Sequence, residues 1–370
     1  MVHGKGGRLT SDRALAREAF LLGAGLGAAA KTPMTGDAST RSYSRLVTAS
    51  GNSLILMDQP PALETQPCPP GATDAERRRL GYNAEARLAA GRVDAFVACA
   101  AYLRGLRLSA PEVIASDPAA GFAVLEDLGD GLYARLIEDG ADEAPLYEAA
   151  VDALLVLHAA PPPAILTDGV VRWPLLTYDE LALKTATDLF IAWLPALIPG
   201  LAFSPLAVEE WEAVWAEPRN RIAAGASVFC HRDYHAENLI WLPDRPGAGR
   251  AGLLDFQDAL LAHPAWDFSM LLHDARRHVT PDREQAVLRR YFAARPGLDS
   301  DAFMADFHAA GAINLVRILG LFARLVARDA KPRYGAFMPR LWGYLERCLD
   351  APAPAGLEAW LDSHIPAWRD

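Results

Sequence analysis

The sequence has few cysteines, no excess of positive charge and no uninterrupted apolar segment of membrane-spanning length. Its four cysteines are far apart in 370 residues and form no C-x-x-C pair, which excludes a zinc-ribbon site and a disulfide framework. The formal net charge of -10 argues against a broad nucleic-acid surface, because such a surface needs an excess of Lys and Arg to displace phosphate counterions. No apolar run reaches the roughly 18 to 20 residues that a membrane span requires. We therefore expect a cytoplasmic protein that binds neither nucleic acid nor membrane.

The chain does contain enough apolar residues for a large core. Hydrophobic residues make up 51% of the sequence and charged residues 22%. This composition and length predict about two domains or one two-lobed unit.

The N-terminal segment predicts an amphipathic helix. Leu15, Leu22 and Leu26 recur at helical spacing, so they are expected on one face. Thr10 or Ser11 can cap the start of this helix.

Strand patterns are concentrated in the first third of the chain. Residues 39–47 and 53–58 are separated by a turn and predict a β-hairpin. Residues 110–116 and 122–127 predict two further short strands, and the Ala-rich, charged segment 74–107 predicts one or two helices between the pairs.

The remainder of the chain has mainly helical periodicity. Strand-like residues return only in "SVFCH", "NLIWL" and "AGLLDF". This order predicts an α+β fold with a small strand-rich lobe (residues 1–127), a large helical lobe (residues 128–370), a hinge at about residues 125–130, and a cleft between the lobes.

The segment "CHRDYHAEN" (residues 230–238) has the spacing H-x-D-x-x-x-x-N. Phosphoryl transfer needs a carboxylate to accept the proton of the attacking hydroxyl and oxygen ligands to hold Mg²⁺ on the phosphates. Asp233 suits the first task, and Asn238 with Asp255 in "GLLDF" suits the second. Taken alone, an Asp at the end of a strand is usually a turn former and a His before a turn is usually a packed residue, so the kinase interpretation depends on the combination. For His231 a structural role is preferred, as support of the loop.

Several segments together resemble a known family. "HRDYHAEN", "LLDFQDALLAHPAWDFSMLLHDARR" and "GDASTRSYSRL" are similar to the aminoglycoside phosphotransferase and choline kinase superfamily. Within it, "LEDLGD" and "ILGLFARLVARDAKPRY" resemble the anomeric sugar kinases of peptidoglycan recycling, which phosphorylate N-acetylmuramate and N-acetylglucosamine at the C1 hydroxyl. The resemblance implies a bilobal, protein-kinase-like fold and an ATP- and Mg²⁺-dependent kinase.

The resemblance also implies roles for single residues. It makes Asp233 the catalytic base, with Asn238 and Asp255 as Mg²⁺ ligands. The residues that it implies for nucleotide binding are Ser39, Thr40 and Arg41 over the phosphates and Glu126 and Leu128 at the hinge near adenine. The resemblance also implies Asp267 as a brace of the catalytic loop, and its alternative role as a helix N-cap can hold at the same time. From the loop alone, His235 is either loop support or a substrate contact.

The sequence departs from the protein-kinase pattern in the small lobe. Met57 and Asp58 occupy the strand position where protein kinases carry a Lys, and the helix around residues 96–103 lacks its acidic partner. The absence of the Lys explains the absence of its acidic partner, because a buried Glu without its cation would destabilise the fold. Either Arg41 or Arg45 then meets the triphosphate charge, or the protein is a catalytically silent nucleotide-binding pseudokinase.

The charge of one segment of the chain helps to distinguish the possible acceptor substrates. Aminoglycosides are polycations that need an acidic pocket, whereas N-acetylmuramate carries a carboxylate that favours a cation. Residues 311–340 contain six basic residues and one acid, and Arg317, Arg324 and Arg328 share a helical face. Either this face is an ordinary solvated surface or it contacts the substrate. We expect a monomer that binds a small amino sugar, with an aminoglycoside or amino-alcohol kinase as the alternative.

Overall fold

A small antiparallel sheet dominates the first part of the chain. The computed structural model describes residues 5–34, 41–60, 66–349, 355–366 and 368–369. Within these residues the sheet has five strands in the order β1-β2-β3-β5-β4. The strands are β1 (Ala30–Pro33), β2 (Ser42–Val47), β3 (Ser53–Asp58), β4 (Val113–Asp117) and β5 (Phe122–Glu126).

The four predicted strands of this region are confirmed, and β1 is an addition. The hairpin register pairs Ser42 with Asp58 and Val47 with Ser53. β1 pairs with β2, and all four of its residues are exposed. An exposed edge strand has no alternation of buried and exposed residues, so the period-two signal was missing from its sequence.

The outer face of the sheet is covered by the N-terminal helix α1 (Lys5–Gly23). Leu21 of this helix, Leu56 of β3 and Val124 of β5 form a small buried cluster with Leu46. Burial of these side chains holds the helix on the sheet.

The expected details of α1 were wrong in two respects. The helix already runs through Thr10 and Ser11, so neither residue caps its start. Leu15 and Leu22 lie on the solvent side, 67% and 73% exposed. Contact with the sheet, and not the apolar periodicity alone, selects the buried face.

The segment between β3 and β4 folds into three helices, where one or two were predicted. They are α2 (Asp74–Leu80), α3 (Tyr82–Glu85) and α4 (Val93–Gly105). Gly81 separates α2 from α3 with a φ of 90°, a conformation that glycine adopts readily. On the inner side of the sheet, Phe96 of α4 stacks on Phe256 at 4.7 Å between ring centroids.

The rest of the described chain is largely helical, as predicted. Its helices are α5 (Tyr133–Glu138), α6 (Glu143–Leu157), α7 (Glu180–Trp193), α8 (Pro205–Ala224), α9 (Ala265–Leu272), α10 (Pro281–Ala293), α11 (Ser300–Ala327), α12 (Met338–Leu349) and α13 (Leu357–His364). Its short strands are β6 (Ile165–Thr167), β7 (Arg172–Pro174), β8 (Val228–Cys230), β9 (Leu239–Trp241), β10 (Ala251–Leu253) and β11 (Leu260–Ala262). The α+β class is confirmed, while the exact division into lobes stays a prediction.

Polar residues explain where several of these helices begin. The side chains of Asp142, Asp179, Ser204, Thr280 and Asp299 accept hydrogen bonds from backbone N–H groups at the starts of α6, α7, α8, α10 and α11. Such caps satisfy donors that have no partner within the helix.

Helix α11 passes through the core of the helical part. By length and composition it could cross a membrane, and 78% of its most apolar window is buried inside the protein. The expectation that no segment reaches this length was therefore wrong for α11. A core helix that is apolar on nearly all sides has the same composition as a membrane span.

Candidate active site

The segment 230–238 forms a loop between β8 and β9, and a buried carboxylate holds it. Asp267, in the first turn of α9, accepts hydrogen bonds from the backbone N–H groups of His231 at 2.7 Å and Arg232 at 2.9 Å, and from Cys230 Sγ at 3.2 Å. Burial raises the pKa of Asp267. Pro264, and not Asp267, is the N-cap of α9, so the alternative N-cap role was wrong.

Within the loop, Asp233 is held by its backbone. Its carbonyl accepts hydrogen bonds from Asn238 Nδ2 at 2.9 Å and from the N–H of His235 at 3.1 Å. Its side chain is half-buried, and among the described residues no donor occupies the carboxylate. The carboxylate can therefore accept a proton from an incoming hydroxyl.

The two histidines of the loop have contacts that suit support. His231 is fully buried and packs edge-on to Tyr234 and Phe256. Burial lowers the pKa of both His231 and His235, which favours neutral rings. His235 Nε2 lies 3.4 Å from Asn238 Nδ2. A sugar contact for His235 stays a prediction.

The hairpin of β9 and β10 brings the two predicted metal ligands together. Leu239 pairs with Leu253, and the N–H of Leu254 donates to the carbonyl of Asn238 at 2.9 Å. Asn238 and Asp255 therefore flank the same end of the hairpin. Asp255 has a φ of 60°, a conformation of higher energy for a non-glycine residue that occurs often at functional sites.

The side-chain oxygens of Asn238 and Asp255 fit a magnesium ion. Because the Asn238 amide nitrogen is bonded to the Asp233 carbonyl, its oxygen stays available. Asp255 is 45% exposed, and no described residue donates to its Oδ2. Across the described part of the chain, no cluster of three or more His, Cys, Asp or Glu residues could hold a metal by itself. Mg²⁺ commonly has one or two protein ligands and takes its remaining oxygens from phosphates and water.

Two arginines were candidates to replace the strand lysine, and the structure places them differently. Arg41 donates to Asp255 Oδ1 at 3.0 Å, so it lies in the site. Arg45 donates to Asp127 at 2.8 Å and to Asp130 at 2.6 Å, in the segment that follows β5. Ser39 and Thr40 lie outside the described residues.

The predicted hinge begins at the end of β5 (Phe122–Glu126). The Glu126 carboxylate accepts hydrogen bonds from Arg245 at 2.5 Å and from the N–H of Glu112 at 3.1 Å. Leu128 is buried, 8% exposed. The side chain of Glu126 is thus engaged within the protein, and adenine binding by this segment stays a prediction.

The basic face of α11 divides into two kinds of residue. Arg317 donates twice to Asn314 Oδ1, at 3.0 and 2.8 Å, and lies 5.8 Å from the Trp266 ring centroid. Trp266 in turn donates to the Arg232 carbonyl at 3.3 Å, so Arg317 is close to the catalytic loop. Arg328 pairs instead with its neighbour Asp329 and is exposed.

Arg324 has surroundings similar to those of Arg317. Its guanidinium lies 5.1 Å from the ring centroid of Tyr82. Among the described residues, no carboxylate pairs with Arg317 or Arg324. Both arginines are therefore suited to an anionic group.

An ionic contact beside the loop was not predicted from the sequence. Arg77, 1% exposed, donates to both oxygens of Asp179 at 2.6 and 3.0 Å, and Arg87 pairs with the same carboxylate at 2.6 Å. The Arg87 carbonyl accepts a hydrogen bond of 3.4 Å from Arg232. The helices after β3 are thereby fastened to the catalytic loop. The local signal in the sequence was only the capping box of Thr73 at the start of α2.

Comparisons with known proteins find related sequences along most of the chain. The model of the phosphotransferase enzyme family matches residues 32–304. The chain is 63% identical to the N-acetylmuramate/N-acetylglucosamine kinase of Caulobacter vibrioides, over 97% of this chain and 98% of the relative. It is 31% identical to the kinase of the same name from Pseudomonas aeruginosa, over 85% of this chain and 82% of the relative.

A solved structure confirms the protein-kinase-like fold. The ethanolamine kinase of Plasmodium vivax matches with a TM-score of 0.54 at 10% sequence identity, over 87% of this chain and 82% of that chain. At this identity the likeness concerns the fold, because one fold can serve different substrates.

Proposed function

The chain belongs to the phosphotransferase enzyme family, and we propose that it transfers the γ-phosphate of ATP to the anomeric C1 hydroxyl of N-acetylmuramate and N-acetylglucosamine. The observation that carries the reaction class is the half-buried carboxylate of Asp233 on the loop that also presents Asn238, beside Asp255. The acceptor is inferred from the name of the relative that is 63% identical. The reaction would return cell-wall sugars to metabolism in peptidoglycan recycling.

Asp233 is the general base in this proposal. Its carboxylate accepts the proton of the C1 hydroxyl while the hydroxyl oxygen attacks the γ-phosphorus and the bond from that phosphorus to the ADP oxygen breaks. The bonds that hold the Asp233 backbone orient this carboxylate before the substrate arrives. Asn238 and Asp255 would hold Mg²⁺, which would supply charge neutralisation at the phosphate oxygens.

The nucleotide is proposed to lie between the small sheet and the loop. Backbone groups of residues 126–128 bind adenine, which agrees with the engaged side chain of Glu126. Ser39 and Thr40 remain proposed phosphate ligands on the basis of sequence. We further propose a monomer in a reducing cytoplasm, and the four buried, free cysteines support the reducing compartment.

The choice of acceptor is tested with a substrate panel. The purified protein with ATP and Mg²⁺ is given N-acetylmuramate, N-acetylglucosamine, kanamycin and choline, and ADP release is measured for each. We expect turnover with the two N-acetyl sugars. Turnover with kanamycin or choline alone would identify an aminoglycoside or amino-alcohol kinase, and ATP binding without ADP release for any acceptor would identify a pseudokinase.

Arg317 is proposed to bind the lactyl carboxylate that N-acetylmuramate has and N-acetylglucosamine lacks. Replacing Arg317 with methionine removes the charge and keeps most of the alkyl chain. Because a hydrogen bond to a charged group contributes about 1.5–3 kcal/mol, the KM for N-acetylmuramate should rise roughly 10- to 100-fold. The KM for N-acetylglucosamine should change less than about 3-fold, as measured in steady-state assays of both sugars.

Arg328→Met is the matched control for this test. Arg328 is exposed and pairs with Asp329, so its loss should leave both KM values unchanged. An equal rise of KM for both sugars in Arg317→Met would contradict carboxylate binding and indicate a general role in packing on Trp266.

A further inference from the structure

No cation from β3 reaches the inner face of the small sheet in the described residues. Met57 is 1% exposed and belongs to the main core. Asp58, the next residue, points to the opposite face, as side chains of a strand alternate. There it pairs with Arg13 at 2.6 Å and Arg17 at 3.4 Å, both on α1. The position of the kinase lysine is thus apolar, and its neighbour is committed to the outer face.

The residue just before the neighbouring strand β2 is a cation, Arg41. Because Ser42 pairs with Asp58, Arg41 lies opposite Gln59, and its Nε donates to Gln59 Oε1 at 3.2 Å. Tyr43, two residues on, pairs with Met57. The Arg41 side chain therefore lies on the same face of the sheet as Met57, which occupies the position of the missing lysine.

From this face of the sheet, Arg41 reaches the predicted metal ligand Asp255. Its Nη1 donates to Asp255 Oδ1 at 3.0 Å and to Gln257 Oε1 at 3.2 Å. Its side chain is only 9% exposed. The contact orients the Asp255 carboxylate, because Arg41 and Gln257 both bond Oδ1 and no described donor takes Oδ2.

Arg45 is not equivalent to Arg41. It donates to both Asp127 and Asp130, at 2.8 and 2.6 Å, beyond the end of β5. Two carboxylates balance its charge, so it ties β2 to the linker that follows the sheet.

We propose that Arg41 is the cation that binds the triphosphate of ATP in place of the kinase strand lysine. The inference rests on the proposed function, and it adds the residue that meets the phosphate charge. A guanidinium can donate to two oxygens at once, so Arg41 can bridge Asp255 and a phosphate oxygen. In its buried setting the attraction to a phosphate is stronger than it would be in water. Arg41 thus links the metal ligand and the nucleotide, whereas the lysine of protein kinases lies on a different strand and pairs with a helix glutamate.

The test is nucleotide binding by isothermal titration calorimetry, with ATP and with adenosine as probes. Arg41→Met should weaken ATP binding roughly 10- to 100-fold and leave adenosine binding within about 3-fold, because adenosine has no phosphate. Arg41→Lys keeps the charge and should recover part of the ATP affinity. Arg45→Met is the matched control. Because Arg45 holds Asp127 beside the proposed adenine segment, any change should affect ATP and adenosine equally and leave the ratio of the two affinities as in the wild type.

Several outcomes would overturn the proposal. They are unchanged ATP affinity in Arg41→Met, an equal loss for ATP and adenosine, and an ATP affinity in Arg41→Lys no better than in Arg41→Met. Thermal unfolding shows whether Arg41→Met folds. If it does not, the ATP affinities of Arg41→Lys and Arg45→Met are compared instead. An ATP affinity of Arg41→Lys equal to that of the wild type and of Arg45→Met counts against bidentate binding by Arg41. Wild-type protein that binds no ATP would overturn it as well. A selective loss of ATP binding in a protein that phosphorylates no sugar would uphold the role of Arg41 and reject the proposed acceptor.

Discussion

Replacing Asp233 with asparagine is expected to lower kcat for both N-acetyl sugars by about 1,000-fold, within the 100- to 10,000-fold range of general-base catalysis. Asparagine has nearly the same shape and keeps the backbone bonds that hold residue 233. It cannot accept the proton of the attacking hydroxyl. Steady-state kinetics gives kcat, and calorimetry should show ATP binding within about 3-fold of the wild type.

A nearby carboxylate serves as the control for this substitution. Glu237 lies on the same loop and pairs with Arg276 at 2.9 Å, with both side chains partly exposed. Such pairs contribute little, so Glu237→Gln should keep kcat within about 3-fold. Turnover near the wild-type rate in Asp233→Asn would reject the mechanism, and loss of ATP binding would point to a misfolded site instead.

Replacing Asp267 with alanine is expected to reduce the free energy of unfolding by about 2–5 kcal/mol. The substitution leaves the N–H groups of His231 and Arg232 without their acceptor, in a place where Asp267 is 1% exposed. Each unsatisfied buried group costs about 1–3 kcal/mol, and a whole domain has only about 5–15 kcal/mol of stability. Urea unfolding monitored by circular dichroism measures the change.

Asp301→Ala provides the comparison for Asp267→Ala. Asp301 is exposed in the first turn of α11, where the loss of its charge should cost less than about 1 kcal/mol. If Asp267→Ala does not yield folded protein, Asp267→Asn keeps one acceptor oxygen and should show a smaller loss. A change below about 1 kcal/mol in Asp267→Ala would mean that water satisfies the two N–H groups.

The predicted elements were confirmed where local pattern and burial coincide. Strand β3 is buried or half-buried except at Ser53, and helix α6 has a buried face that includes Leu146, Ala150 and Leu154, so their apolar periodicity marks them. Strand β1 is exposed throughout and left no such mark. The prediction of which face of α1 is buried was wrong, because the sheet contacts Leu21 while Leu15 and Leu22 face solvent.

The chemistry proposed for the loop follows from local spacing. Asp233 and Asn238 lie five residues apart, Asp255 comes just after the second strand of the hairpin that follows, and the short hairpin brings them close together. How the site is completed depends on packing between distant parts of the chain. Arg41 meets Asp255 across 214 positions and Arg77 meets Asp179 across 102. Residues this far apart can pair only after the sheet and the helices have packed. Neither spacing nor local propensity in the sequence indicates which distant charges will meet.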